Sequence, residues 1–274
     1  MADKPASGGW KAEVKSLAGM ILAILLVWTF VARPFYIPSE SMMPTLIKGD
    51  RLVVTKYPYG YDYASLIYHP TPFGGRLFGR TPKRGDIVTL DRDGEDLIKR
   101  VIGLPGDRIA VREGVVILNG RPVPRVRETP AMIAVDANVP CDREGEAGFR
   151  TVAPDGKAYC ELPRYRETLP NGVSYDTIDL GYFPGGPDDF AEIVVPPGHV
   201  FVMGDNRDES ADSRVPFEQN GLAGPIPLTA ISGRADAITH SYDGNGQIWN
   251  PISWVTALRP HRAFISLHPQ QAGR

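Results

Sequence analysis

A chain of 274 residues has room for one large domain, or for one domain carrying an inserted lobe. Its 42% hydrophobic and 23% charged residues support a folded core, while 29 Gly and 26 Pro interrupt helices and favour turns and short strands over a helical fold. A net charge of -2, with no sustained Lys/Arg tract and no zinc-finger spacing of Cys and His, gives no basis for a nucleic-acid partner.

The first element is the run LAGMILAILLVWTFVA from Leu17 to Ala32, which carries no charge and one Thr. Lys11, Glu13 and Lys15 precede it and Arg33–Pro34 ends it. About 16 residues fall short of the roughly 20 that cross a bilayer, and adding Ser16 with an interfacial Phe35–Tyr36–Ile37 closes the gap. The run predicts one transmembrane helix over 16–33. A buried core helix or a cleaved signal sequence are the competing readings, and the latter lacks a small-x-small site after the apolar run. Lys4, Lys11 and Lys15 against Asp3 and Glu13 favour a cytoplasmic N-terminus, residues 1–15. Residues 34–274 then lie outside the plasma membrane.

Beyond Pro38 the chain reads as short strands, at Arg51–Val54, Asp86–Leu90 and Leu97–Ile102. Arg108–Val111 and Val115–Leu118 flank Glu113–Gly114, a hairpin signature. These strands predict a mainly β fold: a coiled, barrel-like sheet with a first part over 34–120. Residues 121–192 are broken by Pro, Gly and acidic residues and read as an inserted β/loop lobe. The lobe holds Cys141 and Cys160, which form a disulfide in an oxidising compartment or stay as two reduced, buried thiols. Strand patterning resumes over 193–268, at Ile193–Val195, Val200–Met203, Ile231–Ala235 and Phe264–Leu267, before a frayed tail at 269–274. Trp249 and Trp254 suit either contact with lipid or burial.

Three segments carry the chemistry: Pro38–Leu46 (PSESMMPTL), Lys99–Asp107 (KRVIGLPGD) and Gly204–Arg214 (GDNRDESADSR). Each alone reads as an ordinary turn, strand or salt-bridged loop. Together, in this order and after an apolar N-terminal run, they resemble the shared boxes of bacterial type I signal peptidases. The resemblance implies a membrane-bound serine endopeptidase of the plasma (inner) membrane, with a β catalytic domain on the outer, periplasmic side. By position it assigns Ser41 as nucleophile, Lys99 as general base and Ser39 as an oxyanion donor. It makes Ser210 an orienting residue for the lysine, and Asp212 with Arg214 a supporting ion pair. It implies no metal and no cofactor. The substrates are signal peptides of exported preproteins, cut after a small-x-small motif, with Phe35, Ile37, Pro38, Met42, Leu46, Leu97 and Ile98 at the substrate-binding positions or simply in the core. The expected surroundings are membrane lipid and the export machinery, and the expected state is a monomer. Glu40 stands where the family commonly has Gly.

The residues support that chemistry independently. A serine hydroxyl needs a neighbour to take its proton, and a lysine does so only when neutral. Leu97, Ile98, Val101 and Ile102 surround Lys99 with apolar side chains whose burial depresses an amine. The Ser41 N–H and the Ser39 hydroxyl are the candidate oxyanion donors. His69, His199, His240, His261 and His268 sit in no motif, which disfavours a Ser-His-Asp arrangement. Two other functions fit less well. One is a Ser–Lys peptidase for a specialised pilin or transfer substrate, and the other is a membrane-tethered β module that binds partners without catalysis.

Overall fold

A computed structural model describes residues 10–61, 76–142 and 145–271. Asp3, Lys4, His69 and the last three residues of the tail lie outside them. The elements in chain order are α1 (Trp10–Phe30), β1 (Ala32–Tyr36), β2 (Asp50–Thr55), β3 (Ile87–Arg92), β4 (Glu95–Gly103), β5 (Arg108–Arg112), β6 (Val115–Leu118), β7 (Arg121–Pro122) and β8 (Arg125–Ala134). They continue as β9 (Arg150–Val152), β10 (Ala158–Thr168), β11 (Val173–Ile178), β12 (Phe190–Val194), β13 (His199–Met203), β14 (Ile226–Pro227), β15 (Ile231–Ser241), α2 (Pro251–Thr256), β16 (Ile265–Ser266) and β17 (Gln270–Gln271).

The 21 residues of α1 give a helix about 31 Å long, matching a bilayer's hydrocarbon core. None of its side chains is buried against protein. It starts earlier than the sequence suggests and stops at Phe30, two residues before β1 begins at Ala32. Phe35, Tyr36 and Ile37 do not extend the span. Phe35 and Tyr36 pair with Leu52 and Arg51 in the first two strands, and Phe35 and Ile37 are buried in the β core.

The strands form three sheets. The largest has eight strands in the order β1-β2-β15-β3-β4-β13-β14, with β16 added to β15. A second joins β17, β11, β10 and β8, with β9 on β10, and a third runs β12-β5-β6-β7. The sheets do not close into a barrel, contrary to the barrel-like expectation. Both ends of the main sheet contain proline, Pro34 on β1 and Pro227 on β14, and a residue without an N–H cannot extend a ladder. The main fold is therefore a membrane helix followed by open β-sheets. The hairpin around Glu113–Gly114 forms with Ile109 opposite Leu118 and Val111 opposite Val116.

The segment joining β1 to β2, residues 37–49, is wedged between two hydrophobic clusters. Ile37, Met42 and Leu46 pack with Phe35, Leu52, Ile87 and Ile98 of the main sheet. Met43 and Ile47 pack with Ile133, Cys160, Leu162 and Ile178 of the second sheet. Side chains that alternate between two cores leave the short polar residues among them little freedom.

Candidate active site

The loop that carries Ser41 is closed at its base by its own backbone. Ile37 N–H donates to Asp50 O and Gly49 N–H to Ile37 O, each at 3.0 Å. Asp50 accepts from Ile47 N–H at 2.8 Å and from Nε and Nη2 of Arg262, at 2.8 and 2.6 Å. Arg262 also donates to Thr45 O at 2.9 Å, so a late segment of the chain clamps the loop from outside. Ser41 itself is only 6% exposed.

Lys99 comes from the middle of β4, between β3 and β13, opposite Val88. It is 3% exposed, and its Nζ lies 3.0 Å from Ser41 Oγ. Burial drives its pKa from the ordinary 10.5 down to about 8, against the pull of the Asp212 charge and with help from Arg92. Ser39 Oγ lies 3.3 Å from Ser41 Oγ and is half-buried.

Alternation along a strand sends neighbouring side chains to opposite faces. Arg100 therefore turns away from Lys99 and grips Asp205 with Nε at 2.7 Å and Nη2 at 2.5 Å. Thr45 Oγ1 donates to the same carboxylate at 2.6 Å. This buried pair ties the strand of Lys99, the loop of Ser41 and the end of β13 together.

Residues 204–214 follow β13 and close the site. Gly204 N–H donates to Asp212 Oδ2 at 2.9 Å, and Arg214 holds both carboxylate oxygens of Asp212, each at 2.9 Å. Burial works to raise the Asp212 carboxyl, but the Arg214 charge and these hydrogen bonds outweigh it and hold the group below the ordinary carboxylate range. Asn206 N–H donates to Ser41 O at 3.1 Å and Asn206 Nδ2 to Glu40 O at 3.3 Å. A Cβ on Gly204 would run into Ser210 Oγ and Ser41 O, so only glycine lets the loop approach the nucleophile this closely. Ser210 is buried there, and its Oγ makes no hydrogen bond.

The three segments singled out in the sequence thus converge. Of the residues at substrate-binding positions, Phe35, Ile37, Met42, Leu46 and Ile98 share one buried cluster. Leu97 packs against a different one with Val88 and Val202, and Pro38 is exposed. Glu40 is buried. Cys141 and Cys160 are disulfide-bonded, with Cα atoms 5.7 Å apart. Trp249 is 83% exposed and Trp254 about half exposed, so neither is a core residue. Sequence reasoning passed over Arg100, Asp205, Asn206 and Thr45, although all four lie inside the quoted segments; a charged residue beside the lysine was the available signal. Glu167, Tyr175 and Arg262 gave no local signal.

Known proteins resemble this chain along most of its length. The sequence profile of the family described as "Signal peptidase, peptidase S26" matches residues 10–240. A signal peptidase I of Rickettsia rickettsii (strain Sheila Smith) is 32% identical across 96% of this chain and 95% of its own. One from Rickettsia typhi is 32% identical across 94% of each chain. A signal peptidase I from Enterococcus faecalis V583, known by crystal structure, aligns with 57% of this chain and 97% of its own at 21% identity and a TM-score of 0.29, too remote to bear on the fold or the site. With a profile match over most of its length and relatives that align nearly end to end, the chain belongs to the signal peptidase family, peptidase S26.

Proposed function

We propose that Ser41 and Lys99 are the nucleophile and general base with which this membrane-bound signal peptidase cleaves signal peptides from exported preproteins. The observation that carries the assignment is the 3.0 Å contact between two buried side chains, one a hydroxyl and the other an amine depressed to about 8. At pH 7 such an amine is neutral in roughly a tenth of molecules, some 300-fold more than at 10.5. Ser41 Oγ attacks the scissile carbonyl while its proton passes to Lys99 Nζ. The oxyanion is held by the Ser41 N–H and the Ser39 hydroxyl. Collapse transfers the proton from Lys99 to the leaving amine, which becomes the mature protein's N-terminus, and leaves the signal peptide esterified to Ser41. Lys99 then takes a proton from water, whose oxygen attacks the ester and frees the enzyme.

Asp212 and Arg214 support the base by fixing the loop against Ser41. Ser210, buried beside Gly204, is the residue we assign to orient the lysine. Phe35, Ile37, Met42, Leu46 and Ile98 form the apolar floor beneath shallow pockets that select Ala-like side chains, with Pro38 at the exposed rim and Leu97 packed in a separate cluster. The second sheet, apart from β17 of the tail, is the inserted lobe. We place the N-terminus in the cytoplasm and the β-sheets outside, with Ile248, Trp249, Ile252 and Val255, all exposed, against lipid. The enzyme works as a monomer close to the export machinery, and confinement with membrane-held substrates raises their encounter rate.

The test is to incubate the purified protein in detergent with a preprotein whose signal ends in Ala-x-Ala and to read the products by mass spectrometry. One cut after that motif is expected. An intact preprotein, or scattered cuts, would overturn the substrate reading.

A further inference from the structure

The buried polar groups of the 204–214 loop continue into the second sheet, well past the atoms that touch Ser41 and Lys99. Arg207 is 1% exposed, donates from Nε to Gly204 O at 3.2 Å, and pairs through Nη2 with Glu167 Oε2 at 2.6 Å. Glu167 is also 1% exposed and sits on β10. Its Oε2 accepts a second hydrogen bond from Tyr175 OH on β11, at 2.8 Å. The Tyr175 ring lies 4.4 Å from the guanidinium of Arg100, which holds Asp205 from the other side. The end of β11 adds backbone contacts: Ile178 N–H donates to Asp205 O and Arg207 N–H to Ile178 O, both at 2.9 Å. Arg207 O accepts from Arg214 Nη2 at 2.6 Å, and Arg214 is the residue that occupies Asp212.

Burying a glutamate against an arginine gains little over burying two apolar side chains of similar size, because desolvation offsets the attraction. The pair offers direction instead. It fixes Arg207 so that its side chain holds the start of the loop at Gly204 O and its carbonyl holds the end at Arg214. We propose that Glu167, assisted by Tyr175, is a positioning residue for the general base, locking the loop through Arg207 so that Asp212 stays paired with Arg214 and Lys99 stays dry beside Ser41. The proposal rests on the reading of Lys99 as the base.

The charges that act on Lys99 are Asp212 and, from the other face of β4, Asp205, which favour its protonated form, and Arg92 and Arg214, which oppose it. A slack loop admits water and frees the Asp212 charge. Both changes favour the ammonium and push the acid limb of activity to higher pH.

The test uses the full chain in detergent, with kcat and KM for a signal-peptide substrate measured across the range in which a lysine titrates. Glu167→Gln keeps the size and removes the charge. It is expected to lower kcat at neutral pH by about tenfold or more, leave KM within about twofold, and move the acid limb up by about one pH unit, so that the defect shrinks in alkali. Tyr175→Phe removes one hydroxyl and is expected to shift the limb the same way with a loss of only a few-fold. An acid limb that stays in place in Glu167→Gln, with activity at parent level or reduced only in proportion to folded protein, would overturn the proposal. Should that variant fail to fold, an unmoved limb in Tyr175→Phe would overturn it alone. Lys99→Ala separates the two layers: cleavage at the parent rate removes the base reading and this proposal with it, whereas an inactive Lys99→Ala beside an unmoved Glu167→Gln removes this proposal only.

Discussion

Lys99 Nζ and Ser41 Oγ meet at 3.0 Å although their residues are 58 positions apart, one on a central strand and the other on a loop held between two hydrophobic clusters. Replacing either partner by Ala is expected to reduce cleavage by about 10³-fold or more, with membrane insertion and folding retained. Rates on a preprotein, with limited proteolysis as the folding check, decide it. A correctly folded Lys99→Ala that cuts near the parent rate would remove Lys99 from the mechanism.

Ser39→Ala removes one of two oxyanion donors and leaves the nucleophile. Its expected loss is about 10²–10³ in kcat, smaller than for Ser41→Ala. A kcat unchanged within about twofold would show that Ser39 does not face the oxyanion.

Activity should rise through about pH 8 as Lys99 loses its proton. The same depression has a consequence for stability. Between about 8 and 10.5 the unfolded chain binds a proton that the folded chain does not, so stability climbs with pH across that window and is lost as pH falls through it. The gap corresponds to about 3 kcal/mol at neutral pH. Lys99→Met should therefore be inactive yet more stable than the parent at pH 7, by an amount of that order, with the difference fading above 10.5. Denaturant titrations at two pH values test this. A variant no more stable than the parent at pH 7 would mean that the buried amine carries no such penalty.

Asp205→Ala leaves the buried Arg100 without its carboxylate partner. Removing one member of such a pair typically costs about 3–5 kcal/mol. Loss of stability and of activity together is expected, and a change under about 1 kcal/mol in the denaturation midpoint energy would contradict the role given to the pair.

An outward-facing domain should keep Cys141 and Cys160 bonded, and a reporter fused after Arg274 should be active only outside the cytoplasm. Alkylation and intact mass on protein taken from the membrane should find two modifiable thiols after reduction and none before. Closing a 19-residue separation is worth about 3 kcal/mol, so reduction should lower stability by that order. Two free thiols without reductant, or a reporter active in the cytoplasm, would reverse the proposed orientation.

Local patterns determined the membrane helix, the mainly β character, the Glu113–Gly114 hairpin and the three segments that converge on Ser41, because each is written within a few consecutive residues as an apolar run, an alternation or a polar cluster. The same patterns misplaced the end of α1 and suggested a coiled, barrel-like sheet, since closure depends on whether an edge strand finds a partner. Among the described residues β1 and β14 remain the two ends of the main sheet. Only the tertiary structure brought Glu167 and Tyr175 against Arg207 and set Arg262 on Asp50, 212 residues away. The depressed lysine likewise depends on the whole fold. Four apolar neighbours in the sequence promise dryness, but the 3% exposure of Lys99 comes from strands and loops packed around it from distant parts of the chain, and desolvation is a property of the space around a group.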